Sequence, residues 1–212
     1  MSNTFLKFAK YQVSQVHTRV SGHTLLSVCI RNLEEAKTAH QLTKAIKKIQ
    51  SSLWKLSSDE RRQASQRVTD VLSQHVLTAS DASLKLVSAD WLRFFMQTGV
   101  VAQPEKVFVA LVTAAIQASR GDTPESAHEL RIYLKLIFES LWPFRSPNAA
   151  YPRWLFHSNE VFYPLIPLLK HVDADVQQSL LNIFTQLPML DVYEILEFLP
   201  PQVPGESIRA GP

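Results

Sequence analysis

The apolar positions of this chain are spaced for helices, and the clearest run is 161–187, VFYPLIPLLKHVDADVQQSLLNIFTQL. Leu165, Ile166, Leu168 and Leu169 line a first helix. Asp173 supplies an N-cap, and Val176, Leu180, Ile183, Phe184 and Leu187 form one stripe along a second helix. Spacings of four, three, one and three place those five side chains on one face at 3.6 residues per turn. The same stripe recurs at a single offset. Moving back 46 residues gives Leu130, Leu134, Ile137, Phe138 and Leu141, all apolar. A further step gives Leu84, Ser88, Trp91, Leu92 and Phe95, and a third gives Thr38, Leu42, Ala45, Ile46 and Ile49. Each of these two sets has one polar member.

The 161–187 stretch resembles a HEAT repeat: a Pro-containing first helix, a short turn bearing Asp173, then Val176 and a polar residue opening the second helix. That family often carries a basic residue after the valine, where this chain has Gln177. Helix pairs recurring at roughly 40–47 residues mark HEAT and armadillo arrays. The resemblance implies an all-α fold, a right-handed α-solenoid of about four HEAT-like helix pairs with a period near 46 residues. An irregular α-helical bundle is the alternative. Residues 1–199 are read as one helical-repeat domain and 200–212, rich in Pro and Gly, as a disordered or extended tail.

The rest of the chain supplies helix boundaries. Residues 4–20 are amphipathic, with Phe5, Leu6, Phe8, Val13, Val16 and Val20 on one face. They read as a packed helix, although the absence of acids before Glu34 also resembles a transit peptide, and a membrane-surface helix is a weaker third reading. Ser21-Gly22 breaks it, and helices follow over about 23–33 and 36–56. Ser57-Ser58-Asp59-Glu60 is a capping box for a helix to about 77. Ser80 or Asp81 caps 82–97, which Gly99 stops. Pro104 and Thr123-Pro124-Glu125 open helices 104–119 and 124–142. Residues 142–157, WPFRSPNAAYPRWLFH, carry three prolines and five aromatics and form a long connection. It is either a plug between neighbouring helices or a binding loop. A last short helix is expected over 191–199.

Composition narrows the function more than it identifies it. No apolar run approaches the ~18 residues of a bilayer span, and Cys29 is the only cysteine. An intracellular protein is the resulting expectation. The seven histidines are scattered, and there is no glycine-rich phosphate loop, nucleophile elbow or H-E-x-x-H. No metal, cofactor or catalytic residue is therefore assigned, and an enzyme resembling the HEAT-like DNA glycosylases finds no matching motif. The net charge of +3 is unevenly divided. Residues 1–67 hold twelve Lys or Arg against four acids, and the remainder holds ten against fifteen, so +8 sits beside −5.

A basic third beside an acidic remainder points to an acidic partner or to head-to-tail association. The function expected is a non-enzymatic protein-interaction scaffold or adaptor binding a partner segment on its helical surface. Candidate partner-binding residues are Lys44, Lys47, Lys48, Lys85, Arg93, Arg131 and Lys135 on the outer sides of the helices. Arg145, Arg153, Trp154 and Phe156 join them from the long connection. The alternative is nucleic-acid binding by the basic third. Only Tyr11 and Trp54 are interleaved with its lysines, and the acidic remainder would repel phosphate.

Overall fold

The computed structural model describes residues 26–53, 56–99, 101, 103–141 and 159–187. Among these every regular element is a helix and no strand occurs. The elements are a helical run over residues 26–34 (α1), then Ala39–Leu53 (α2), Ser58–Thr78 (α3), Ala82–Gln97 (α4), Pro104–Ser119 (α5) and Pro124–Ser140 (α6). A 3-10 helix over Asn159–Lys170 and Ala174–Phe184 (α7) complete them. The expected helix at 4–20, the connection 142–157, the short helix at 191–199 and the domain boundary at 199 lie outside the described residues.

Local chemistry sets the boundaries. At α3 the Glu60 amide donates to Ser57 Oγ at 3.4 Å while the Glu60 carboxylate accepts from the Ser57 amide at 2.8 Å, the reciprocal box that S-x-x-E predicts. Asp81, rather than Ser80, caps α4 by accepting from the Leu84 amide at 3.2 Å. Gly99 ends that helix at φ +69°, a left-handed conformation that costs glycine little, and its amide donates to Met96 O. Thr123 caps α6 through the Ser126 amide, and prolines occupy the first turns of α5 and α6, where no intrahelical donor is lost. The helix expected over 36–56 is shorter because Thr38 Oγ1 accepts from the Gln41 amide at 3.3 Å, so regular α2 begins at Ala39.

The Pro-containing segment is 3-10 rather than α-helical. Pro164 and Pro167 each lack an N–H, and in an α-helix each ring would meet the carbonyl four residues back. At three residues per turn the two prolines fall on one edge, and both are exposed. Phe162, Leu165, Ile166 and Leu169 are buried on the other side, while Leu168 is only half-buried.

The helices pack in two rows. In one, α2, α4, α6 and α7 follow each other in sequence order. In the other, α3 packs on α5 and α5 on the 3-10 helix. Arg67 of α3 reaches Glu34 at 3.0 Å and the His75 ring meets the Leu33 carbonyl at 2.8 Å, which sets α1 against α3. The rows are joined by α3 on α4, α5 on α6 and the 3-10 helix on α7. The offset rows of the sequence lie along the first of these. Leu42, Ile46 and Ile49 of α2, Leu84, Leu92 and Phe95 of α4, Leu130, Leu134 and Ile137 of α6, and Val176, Leu180 and Ile183 of α7 are all buried. Thr38 is exposed because it precedes its helix. Ser88, the polar member in α4, is fully buried and donates to Leu84 O at 2.7 Å, so its hydroxyl carries no desolvation penalty. Alanines 110, 114, 115 and 118 bring α5 close to its neighbours, and the Phe108 and Phe162 rings meet at 5.3 Å between α5 and the 3-10 helix.

One core group stands apart electrostatically. Tyr133 of α6 is buried, and its hydroxyl has no hydrogen-bond partner among the described residues. Burial, with a smaller contribution from nearby Glu129, pushes its pKa up to about 12.

Candidate functional site

The exposed face of α2 follows from its buried one. Leu42, Ala45, Ile46, Ile49, Ser52 and Leu53 turn inward, which leaves Lys44, Lys47 and Lys48 in solvent. Ser51 and Ser52 donate to the Lys48 carbonyl at 2.8 and 3.0 Å, so their hydroxyls are turned back onto the helix. Lys44 and Lys48 line a cavity of about 320 Å³ with Asn32, Glu35, Ala36, Gln41 and Ala45, at the junction of α1 and α2. Glu35 is the acid of that lining, yet no lysine of α2 is ion-paired among the described residues.

Beside α2, the outer side of α4 carries an aromatic step. The Trp91 and Phe94 rings meet edge-on at 5.5 Å, Trp91 and Phe95 lie 6.0 Å apart, and Phe94 and Phe95 lie 5.9 Å apart. Phe95 is buried and Trp91 half-buried, whereas Phe94 is 37% exposed. The aromatic end of this helix is thus split between core and surface.

Further along this row Arg93, Arg131 and Lys135 are held by the chain's own acids. Arg93 donates to Asp90 at 2.7 Å, to Gln97 Oε1 at 2.9 Å and, across to α6, reaches Glu139 at 3.4 Å. Lys135 lies 3.9 Å from the same Glu139. Arg131 reaches from α6 to Asp173 at the start of α7, placing Nη2 at 2.7 Å and Nε at 2.9 Å from one carboxylate oxygen. Asp173 also accepts from the Asp175 amide at 2.9 Å. That amide bond is the largest influence on the Asp173 carboxyl; desolvation, the next, opposes it, and the Arg131 guanidinium adds to the amide, so that the net effect holds the carboxyl below its ordinary value. Gln177, where the HEAT pattern often has a base, donates to the His171 carbonyl at 2.7 Å. Lys85 is half-buried and has no ion pair among the described residues.

No protein-family model, curated protein or solved structure matches this chain. The site therefore rests on its own geometry. Of the predicted residues, Lys44, Lys47 and Lys48 share one face, with Arg93 on the adjoining helix. Arg131 and Lys135 lie one helix further along, and Arg145, Arg153, Trp154 and Phe156 fall outside the described residues.

Two features escaped sequence reasoning. On the other row, Val109, Val112, Ile116, Val161 and Pro164 line a shallow apolar groove between α5 and the 3-10 helix, with Val109 46% exposed. Along α3, Asp59, Arg62, Gln66, Arg67 and Asp70 line a polar groove that Gln103 closes. The only sequence signal for the first was an apolar residue at a position of α5 outside the main stripe. Among the described residues no cluster of three metal-binding side chains occurs, and no helix is long and apolar enough to cross a membrane.

Proposed function

We propose that the chain is a right-handed α-solenoid of about four HEAT-like helix pairs and that it works as a protein-interaction scaffold, holding a partner segment on the row of α2, α4 and α6. The repeat reading is supported by one ion pair above the others. Arg93 and Glu139 stand one 46-residue step apart in sequence and lie 3.4 Å apart on adjacent helices, so the offset relates neighbouring positions in space. The binding reading is carried by the three exposed lysines of α2, which have no acid partner among the described residues although the arginines further along the row do. A face that leaves three neighbouring cations unmatched by the described residues, on a row whose arginines are paired, suits a partner that brings carboxylates.

Replacing Lys44, Lys47 and Lys48 together with Glu tests this. Circular dichroism and the thermal midpoint should stay close to wild type, because exposed substitutions usually change stability by no more than ~0.5 kcal/mol. Co-purification of the partner from the source cells should be lost. Nucleic acid is the competing occupant. Its log affinity would fall linearly with log salt by roughly 0.9 per duplex phosphate neutralised. Gel-shift titrations with duplex and single-stranded DNA and RNA should show nothing tighter than ~10⁻⁶ M at physiological salt. Sub-micromolar binding there, abolished by the triple replacement, would transfer the assignment to nucleic acid.

A further inference from the structure

The two steps along the row of α2, α4 and α6 differ in the charges they carry. From α4 to α6, Arg93 finds Glu139. One offset earlier on α2 stands Lys47, so on α2 a lysine holds the place that Arg93 holds on α4, and on α4 an arginine rather than an acid holds the place of Glu139. The geometry of Arg93 also orients α4. Its guanidinium reaches α6, so that edge of α4 faces α6. At about 100° per residue, Trp91 lies about 160° around the helix from Arg93, toward α2, and Phe94 lies between Trp91 and solvent. The outer faces of the two packed helices α2 and α4 therefore carry an aromatic step on α4 and, on α2, three lysines that no acid of the described residues meets. The aromatic pair is held edge-on, so a ligand that covers it loses little ring freedom.

We propose that this junction receives an acidic amphipathic helix of a partner protein, with its apolar edge on Trp91 and Phe94 and its carboxylates over Lys44, Lys47 and Lys48. The proposal rests on the scaffold reading and specifies its ligand. A helix suits the place because apolar side chains at i, i+3, i+4 and i+7 form a narrow edge flanked by polar positions, which matches an aromatic step flanked by lysines. A polyphosphate backbone suits it less, since it has no apolar edge to cover Trp91 and Phe94.

The experiment titrates the full chain against a fluorescein-labelled amphipathic peptide of about 18 residues, five helical turns, with Leu along one edge and Glu beside it. Three companion probes accompany it: the same peptide with Lys for Glu, the same peptide with Ala for Leu, and a labelled single-stranded RNA. Anisotropy should show saturable binding of the acidic Leu peptide. Binding should weaken roughly tenfold for each altered peptide, for F94A and for the pair K47E/K48E. F94Y should retain binding, as should K106E, at an exposed position of α5 in the other row, and melting curves should establish that every variant is folded. Equal binding of the acidic and basic peptides would overturn the proposal. So would wild-type affinity in folded F94A or K47E/K48E, or RNA bound more tightly than the peptide. Photo-crosslinking residues placed at 94 and at 135 in the source cells separate this failure from failure of the scaffold reading. Protein crosslinks from 135 but not from 94 would remove the α2–α4 site and leave the scaffold. Absence of protein crosslinks at both would remove both. A crosslink from 94 to a sequenced Glu/Asp-rich helical segment is the expected result.

Discussion

The α6–α7 junction and the α2 face carry the same kind of side chain and use it in opposite ways. At the first, Arg131 is bound to Asp173, and Asp173 also caps α7, so one carboxylate joins two helices and starts one of them. At the second, Lys44, Lys47 and Lys48 project from a helix whose buried side is equally apolar, yet no acid of the described residues meets them. A stacked row can close its charges internally, which strengthens register between neighbours, or leave them open to solvent, where the proposed function would have another molecule meet them. The difference separates cations that join helices to one another from cations that no acid of the described residues meets.

The largest expected effect tests whether the paired end is the firmly built one. Phe184→Ala, in the buried stripe of α7, should cost about 3–5 kcal/mol in denaturant unfolding. A loss below about 1 kcal/mol would mean that α7 is not anchored and that its ion pair is incidental. A smaller effect measures the pairing itself. A double-mutant cycle on Arg93 and Glu139 should give a coupling of about 0.2–1 kcal/mol, the range for partly exposed pairs, whereas a cycle on Lys47 and Glu139 should give none.

The paired end should also respond to acid. Because the Asp173 carboxyl is depressed when folded, its charge contributes stability above the ordinary value of 3.8 and loses it as pH falls through the folded value. The melting difference between wild type and Asp173→Asn, which keeps a capping side chain, should be constant near neutrality and close below about pH 4. Lys47→Ala should show no difference at any of these pH values. At the alkaline end the sign reverses, for a different reason. Tyr133 remains neutral when folded up to about 12, so stability should decline as pH rises from 10 through 12. Tyr133→Phe should lessen that decline while changing neutral-pH stability little, because its hydroxyl has no partner among the described residues.

What could be read from the sequence was whatever depends on near neighbours. Ser57 and Glu60, Thr123 and Pro124, and Asp173 announce helix starts because capping is decided within four residues, and the stripes from Leu84 to Leu187 follow from one face meeting one core. The 3-10 helix was not distinguishable in this way. Over twelve residues, Leu165, Ile166 and Leu169 fit a three-residue turn as well as a 3.6-residue turn, and only the paired prolines favour the former. The charged site was legible as composition but not as pairing. Lys47 and Arg93 occupy matching places in the pattern, and nothing within a few residues of either says that one has Glu139 across from it. Arg131 and Asp173 are 42 residues apart in sequence and meet only once α6 and α7 stack.

The 3-10 helix has a consequence for dimensions. Its twelve residues, at about 2.0 Å each, extend about 24 Å, whereas an α-helix of the same length would extend about 18 Å. The sixteen residues of α5, against which it packs, also extend about 24 Å at 1.5 Å each. Two prolines thus let a segment four residues shorter run the full length of its neighbour. Exchanging Pro164 and Pro167 for alanine would permit it to rewind as α-helix, leaving about 6 Å of α5 without a partner.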